Sequence, residues 1–404
     1  MLLAGAAAAT PGPPAEKPRA APGALLAPAE TAAHVVAGTI GALRQLDAQG
    51  FSAELEVERA LAGGSSPGAK LRIAWEELAA SRALRFAQGE RVLLALEPLP
   101  SGSLWMKRFP QRDAWAVAGR GEAFARDPAP ATLDAIGPYL RLPRMARAGS
   151  PGVTALAQIA RLAEQRQALE AIEQLALRPA LAPQLVAAAR DALGALLLDA
   201  TRPDEVRAGA LTLAARRRLT ALEPEARKLS AAGGALAPLA VEALGAMGAL
   251  SPEEARRHRA SSDPRMRAAI VRGAPASVDA AKLEALARRD TAGEVRAAAL
   301  EALARREGAR AAGAAIDALF DADANVQAAA LRVLPAFPAE SAPVLRARVF
   351  GARAHDTEAM RPALAGLSLL GPDGAAVLRE IERDHPNEDL RRLAQFLLGR
   401  TPEH

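Results

Sequence analysis

DTAGEVRAAALEALARREG, Asp290 to Gly308, decides how this chain reads. Val295, Ala298, Ala299, Ala302 and Leu303 recur every three or four residues and so share one helical face, while Glu294, Arg296, Glu301 and Arg305 point elsewhere. A stripe made mostly of alanine buries too little surface to hold a helix alone, so it calls for similar helices alongside it. The copies are PDEVRAGALTLAAR, LAPLAVEALGAMG, DPRMRAAIVRGA, DANVQAAALRVL, TEAMRPALAGLSLLG and NEDLRRLAQFLLG. Aligned on the first large apolar position they give Val206, Leu239, Met266, Val295, Val326, Met360 and Leu390, at spacings of 33, 27, 29, 31, 34 and 30 residues.

Three residues before the anchor stand Asp263, Asp323, Thr357 and Asn387, side chains that cap a helix by accepting from its free amides. One residue after it stand Arg207, Arg267, Arg296, Arg361 and Arg391. Between the copies lie further helical segments, such as SPEEARRHR from Ser251, VDAAKLEALARR from Val278, ARAAGAAIDALF from Ala309 and GAAVLREIERD from Gly374. Ser251 followed by Pro252 is a helix start, a capping serine with proline at the first helical position. Each repeat is therefore expected to be a helix pair.

The pattern resembles the short HEAT-like repeats of the phycobilisome-lyase type, whose signature is D-x-x-V-R-x-x-A followed by leucines. The match covers about residues 203 to 400. The resemblance implies a ladder between adjacent repeats, formed by the aspartate and arginine of the signature, with Asp263, Arg267, Asp323 and Arg391 in structural roles. The second copy departs from it at Leu236 and Ala240, and the fifth has Gln327 for arginine. The period is also shorter than the ~40 to 47 residues of longer HEAT and armadillo units. Val295, Arg296, Ala299 and Val326 are the remaining repeat positions expected to hold the stack.

In chain order, the opening MLLAGAAAAT is a short apolar run ending in small residues, and the Pro/Ala-rich stretch after it is unlike a packing segment. No Lys or Arg precedes Lys17, so the basic start of a secretory signal is missing. The layout of a signal remnant and proline-rich spacer nevertheless favours a bacterial envelope or periplasmic location over the cytoplasm. Residues 1–33 are expected to form a disordered leader. From His34 the period becomes two: Phe51, Ala53, Leu55 and Val57 alternate with Ser52, Glu54, Glu56 and Glu58, and Leu71, Ile73 and Trp75 alternate with polar or small neighbours. With HVVAGTIGAL, Val92 to Leu96, SLWMKRF and AWAVAG this makes about six short strands, a small barrel over 34–120. Its layout weakly resembles the OB-fold barrel of the netrin and metalloproteinase-inhibitor type. A linker with one short helix over 121–152 then leads to a solenoid over 153–400, regular from about residue 203, in which 153–199 cap the N-terminal end. The fold class is thus β plus α, a small barrel followed by an α-solenoid.

Chemistry is hard to find. Cysteine is absent, which removes disulfides and thiolate catalysis. The five histidines show no metal-ligand spacing, and neither a phosphate loop nor a nucleophile elbow is present. The net charge is +5, yet the basic and acidic residues number 21 and 19 in residues 1–200 and 30 and 27 in the rest, so no basic block marks a nucleic-acid footprint. Trp105, Lys107, Arg108 and Phe109 fit either base or sugar stacking or the filling of a barrel, and the second is preferred. No stretch has the ~18 apolar residues of a transmembrane helix. The HEAT-like resemblance implies that the intervening helices line the concave face, so Arg256, Arg257, Arg259, Arg288, Arg289, Arg346, Arg348 and Arg353 are expected to face a ligand there, and paired guanidiniums suit an acidic peptide, carboxylates or phosphate. The reading is a non-enzymatic scaffold for a protein partner, with no cofactor or metal expected. A bilin-lyase-like ligand binder, implied by the resemblance, and a nucleic-acid binder are the alternatives.

Overall fold

The computed structural model describes residues 24–77, 85–178, 185–351 and 357–399. The chain forms two compact units, residues 1–196 and 197–404.

The first unit is built on six strands: β1 (His34–Gln45), β2 (Gly50–Ala62), β3 (Lys70–Glu76), β4 (Arg91–Pro98), β5 (Trp115–Val117) and β6 (Phe124–Arg126). Their order is β1-β2-β3-β5-β4-β6, and β1 also pairs with β4, so five strands close a barrel and β6 extends β4. All pairings are antiparallel except β3 with β5. The period-two residues do what alternation demands: Leu55, Val57, Ile73 and Trp75 turn inward, where Trp75 meets Phe86 edge-on and Phe86 meets Phe124, each pair 4.9 Å between centroids. Long β1 serves both neighbours because it bends at three irregularities, and Gly38 lets it approach β2, since a Cβ there would lie 2.2 Å from the Glu56 carbonyl oxygen.

Two expectations change here. SLWMKRF is not a strand. Ser103–Arg108 is a helix, α2, because Trp105 and Phe109, four apart, stack on one face against Leu99, Ala114 and Ala116, while Leu104 turns to solvent. The sixth strand is Phe124–Arg126, inside the expected linker. Part of the expected leader, 1–33, is also packed. Residues 1–23 lie outside the described residues, but Leu25 and Leu26 are fully buried at the short helix α1 (Leu26–Ala29). Their amides donate to the Glu170 carboxylate at 2.9–3.0 Å.

Glu170 belongs to α6 (Gln165–Ala176), which packs on α5 (Ser150–Leu162); α5 in turn packs on α3 (Pro130–Arg141), and α3 lies against β2. Helix α4 (Arg144–Ala148) leads into α5, and α7 (Ala187–Leu198) ends the unit. Tyr139 of α3 is buried and its hydroxyl donates to Glu30. Burial and the Glu30 carboxylate both push that phenol's pKa up. Helices α3 to α6, which include residues expected to cap the solenoid, therefore belong to the barrel's unit.

The second unit is a two-layer α-solenoid. The signature helices are α8 (Asp204–Arg217), α10 (Ala237–Met247), α12 (Pro264–Gly273), α14 (Gly293–Glu307), α16 (Ala324–Val333), α18 (Thr357–Ser368) and α20 (Glu388–Leu398). Between them run α9 (Glu223–Ala232), α11 (Pro252–Arg259), α13 (Ala280–Arg289), α15 (Ala312–Ala318), α17 (Pro338–Gly351) and α19 (Gly371–Asp384). Each intervening helix packs on the signature helix that follows it, so the hairpin is α9–α10, α11–α12, α13–α14 and onward. Val206, Val295, Ala299, Val326 and Leu390 are all buried. Leu239 is only half-buried, and Leu236 takes the buried anchor position of the second copy. With Leu236 as anchor the first two spacings become 30 and 30.

Caps fix the helix starts. Asp263 accepts from Arg265 N, Asp323 from Asn325 N, and Asn387 from Asp389 N and Leu390 N, all within 3.2 Å. Ser251 and Glu254 form a reciprocal capping box.

Candidate functional site

In the solenoid the arginine after the anchor works as a stitch. Its guanidinium donates to the carbonyl six residues back: Arg267 to Ser261, Arg296 to Asp290 and Arg391 to His385, at 2.7–3.0 Å. Gln327 makes the same bond to Asp321 with its side-chain amide, at 2.7 Å, so the glutamine copy keeps the loop closed. Arg267 and Arg296 also reach the next repeat, each gripping a carboxylate with two N–H groups: Arg267 on Asp290 at 2.8 and 3.2 Å, Arg296 on Asp321 at 2.6 and 2.8 Å.

The acids of this ladder are thus Asp290 and Asp321, five residues before an anchor. Asp263 and Asp323, three before it, are helix caps, because at that position the carboxylate faces its own helix's free amides. Among the described residues Arg391 closes its own loop only, and Arg361 pairs with Glu358 on its own helix at 2.9 Å. Burial raises the Asp290 pKa, but the hydrogen bonds from Arg267 and Ala292 N–H outweigh it and leave the carboxyl below its ordinary value. Asp321 is lowered first by the hydrogen bond from Arg296.

The intervening-helix arginines do not form one lined groove. Arg288 pairs with Glu284 and, at 3.3 Å, with Asp317; Arg348 reaches Asp317 at 3.6 Å and lies 4.0 Å over the Phe320 ring. Arg346 holds Glu380, and Arg259 donates to the Ser277 carbonyl. Arg256, Arg257 and Arg289 are exposed and without a hydrogen-bond or ion-pair partner among the described residues, and Arg353 lies outside them.

Their row is also the wider one. From α8 to α16 successive signature helices pack directly on one another, whereas α9, α11 and α13 hardly touch. Glycine and alanine allow the close approach: a Cβ on Gly273 of α12 would sit 2.3 Å from the Glu242 carbonyl oxygen of α10, and one on Gly245 2.9 Å from the Gly273 backbone. A two-layer stack curves toward its tighter row, so over this stretch the signature helices form the inner face and Arg256, Arg257, Arg259, Arg288 and Arg289 lie on the outer one. Toward the C-terminal end this difference is lost: α16 barely touches α18, while α15, α17 and α19 pack on one another in turn.

The inner face carries its own charges, six residues after four of the seven anchors: Glu242, Arg272, Glu301 and Arg332. Arg272 donates to Glu242 at 2.7 Å, and Arg332 to a single oxygen of Glu301 at 2.6 and 3.1 Å. The sequence reading missed these residues. The signal that finds them is the repeat register itself, once the second copy is anchored on Leu236.

In the first unit a groove of about 640 Å³ is lined by Leu43, Arg44 and Leu46 of and beyond β1, Lys70 and Arg72 of β3, and the 108–113 loop. Arg108 is its clamp: it grips Asp47 at 2.7 and 2.8 Å and Glu76 at 2.8 Å, joining the β1–β2 turn to the segment after β4. Those bonds, from Arg108 first, hold the Asp47 carboxyl far below its ordinary range. Lys70 pairs with Glu54 and Arg72 with Asp113, so most of the cationic lining is neutralised locally. Phe109 is buried, while Trp105 is half-buried, stacked on Phe109 and 4.9 Å from the Arg108 guanidinium. Trp75 is a core ring, and half-buried Trp115 meets the His34 ring edge-on at 4.4 Å.

Among the described residues no group of three or more His, Asp and Glu side chains is placed to hold a metal ion, and no helix is long and apolar enough to cross a membrane.

No protein-family model and no curated protein matches the chain. Among solved structures, human deoxyhypusine hydroxylase in complex with glycerol is 16% identical over 62% of this chain and 96% of its own, with a TM-score of 0.30. An engineered protein is 19% identical over 61% of this chain and 95% of its own, with a TM-score of 0.21. Scores this low carry no argument, and the fold rests on the geometry described above: a closed five-stranded barrel followed by a helical-repeat solenoid.

Proposed function

We propose that the chain is a non-enzymatic scaffold whose solenoid holds a protein partner along the signature-helix face. The observation that carries this reading is the tight signature row itself. Helices α8 to α16 pack directly on their neighbours in this row, and the Glu242–Arg272 and Glu301–Arg332 pairs bridge them at a regular level. A surface extended over several repeats, with alternating charge, suits a long polypeptide better than a compact small molecule. The alanine-rich repeats would then be the HEAT-like units that the signature resembles, and the barrel an OB-type module. Support for the latter is the β1-β2-β3-β5-β4 closure with its parallel β3–β5 contact.

The test is cross-linking of the tagged full-length chain in cells of its source, separated into envelope and cytoplasmic fractions, followed by identification of what is recovered. The scaffold reading expects one protein enriched over a tag-only control, and in the envelope fraction. Recovery of nucleic acid alone, with affinity that falls steeply with salt, or turnover of a defined substrate by the purified chain, overturns it.

A further inference from the structure

A cleft of about 420 Å³ opens on the signature-helix face between the C-terminal ends of α14 and α16, lined by Glu301, Ala304, Arg305, Arg332, Val333 and Phe337. Its origin is a mismatch of length. Helix α14 has 15 residues and α16 has 10, and the chain after α16 tightens into the turn Leu334–Ala336. The last turn of α14 therefore overhangs its neighbour, and Ala304 is too small to fill the gap. Val333 and Phe337 make an apolar floor continuous with the core.

The charges around that floor do not cancel. Glu301 is engaged by Arg332, and Glu307 at the end of α14 by Arg306 at 3.2 Å and Arg310 at 3.8 Å. Arg305 is exposed and has no hydrogen-bond or ion-pair partner among the described residues. The lining thus offers two guanidiniums and one carboxylate around an apolar hollow. Phosphate or another small anion would leave the apolar floor uncovered, and an uncharged apolar group would leave Arg305 unused.

We infer that this cleft takes a large apolar side chain from an acidic segment of a partner protein, with a carboxylate beside that side chain pairing with Arg305. The inference rests on the scaffold reading and names the chemistry of the partner at one point of that face. The apolar group supplies burial, and the Arg305 pair, set beside a low-dielectric floor, supplies selectivity for acidic neighbours.

The test is fluorescence anisotropy on the full chain with three labelled hexapeptides, EDLFEE, EDAAEE and QNLFQQ. EDLFEE should bind saturably, and about tenfold or more tighter than either control, since each control removes one of two contributions of roughly that size. Arg305→Glu should weaken EDLFEE by about tenfold or more, and Arg289→Glu, on the outer row, by less than about twofold. Ala304→Trp, which fills the hollow, should abolish binding; a thermal melt checks its fold, and the surface change at Arg305 keeps the test alive if it unfolds. Equal binding of the three peptides, no saturable binding of EDLFEE, or indifference to Arg305→Glu overturns the inference. Failure here is distinct from failure of the scaffold reading. A partner recovered equally by wild type and Arg305→Glu removes the cleft alone, whereas peptide binding with no partner recovered from cells removes the scaffold and leaves the cleft.

Discussion

The barrel and the solenoid are stabilised in opposite ways. The barrel concentrates its core in a few large rings, Trp75, Phe86 and Phe124, and joins its loops through one clamp, Arg108, on two carboxylates. The solenoid spreads its core over many alanines and repeats one small device, an arginine that closes its own loop and sometimes grips the next. Few large contacts make a unit that fails as a whole; many small ones make a stack whose stability is approximately a sum over neighbours. The solenoid also varies the device, as at Gln327, where an amide keeps the loop bond.

The largest expected effect breaks the comparison on the barrel side. Trp75→Ala should cost about 3–5 kcal/mol, because a buried indole leaves a cavity that the surrounding strands cannot collapse around. Hydrogen exchange should show protection lost across all five barrel strands and kept across 204–398. Loss confined to β3 would mean that the barrel is not one cooperative unit.

Arg296→Ala should cost about 2 kcal/mol, since it leaves the Asp321 carboxylate half-buried and unpaired; the two side chains are only 14% and 16% exposed. Arg346→Ala removes a pair of equally good geometry but far greater exposure, and should leave the urea midpoint unchanged. Equal losses at the two sites would show that burial is not what makes the ladder matter.

Two glycines of the solenoid should differ in sign. Gly273→Ala should destabilise by about 1–3 kcal/mol, because its Cβ meets backbone of α10 that has nowhere to go. At Gly313 of α15 a Cβ meets nothing within 4 Å, so Gly313→Ala should stabilise by about 0.5 kcal/mol through the unfolded chain. Thermal melts of the two variants compare a glycine pressed against a neighbouring helix with one open to solvent, and the same sign at both would contradict the close approach at Gly273.

Acid sharpens the contrast further, with a smaller effect. Asp290 and Asp321 lie below an aspartate's ordinary 3.8, so the folded solenoid takes up their protons less readily than the unfolded chain does. Their contribution is complete above the ordinary value and drains away as pH falls below about 4, through the lowered folded values. The gap in urea midpoint between wild type and an Arg267→Met, Arg296→Met double variant should therefore be constant from about pH 7 to about pH 5 and narrow toward about pH 3. A gap that widens in acid would mean that the carboxylates are not held ionised by these arginines.

Period was legible in the sequence wherever one face is buried. Alternation marks β2 and β3, and the anchors mark all seven signature helices, because burial acts on every turn of those elements. What was hidden depends on partners distant in sequence. SLWMKRF has the look of a strand, yet the short α2 is favoured by Trp105 and Phe109 finding Leu99 and Ala114 beneath them. The ladder acids were mistaken for the caps, because an aspartate three residues before the anchor and one five before it look alike until the helix axis is known. Placing the arginine-rich helices on the inner face follows from the HEAT-like resemblance, in which the second helices line it, whereas the close approaches at Gly245 and Gly273 carry no pattern that a sequence announces. The Leu25–Leu26 anchor on Glu170 was unreadable, since its two halves lie about 145 residues apart.

The signature-helix face, and not the arginine-rich outer row, is the surface proposed to receive the partner. It is tested by cross-linked recovery from source cells with the full-length chain in two charge-reversed forms. One carries Arg305→Glu with Arg332→Glu on the inner face; the other carries Arg256→Glu, Arg257→Glu and Arg289→Glu on the outer face. The account predicts that a protein recovered by the wild type is lost with the first form and retained with the second. Retention with the first and loss with the second would contradict it and return the site to the outer arginines.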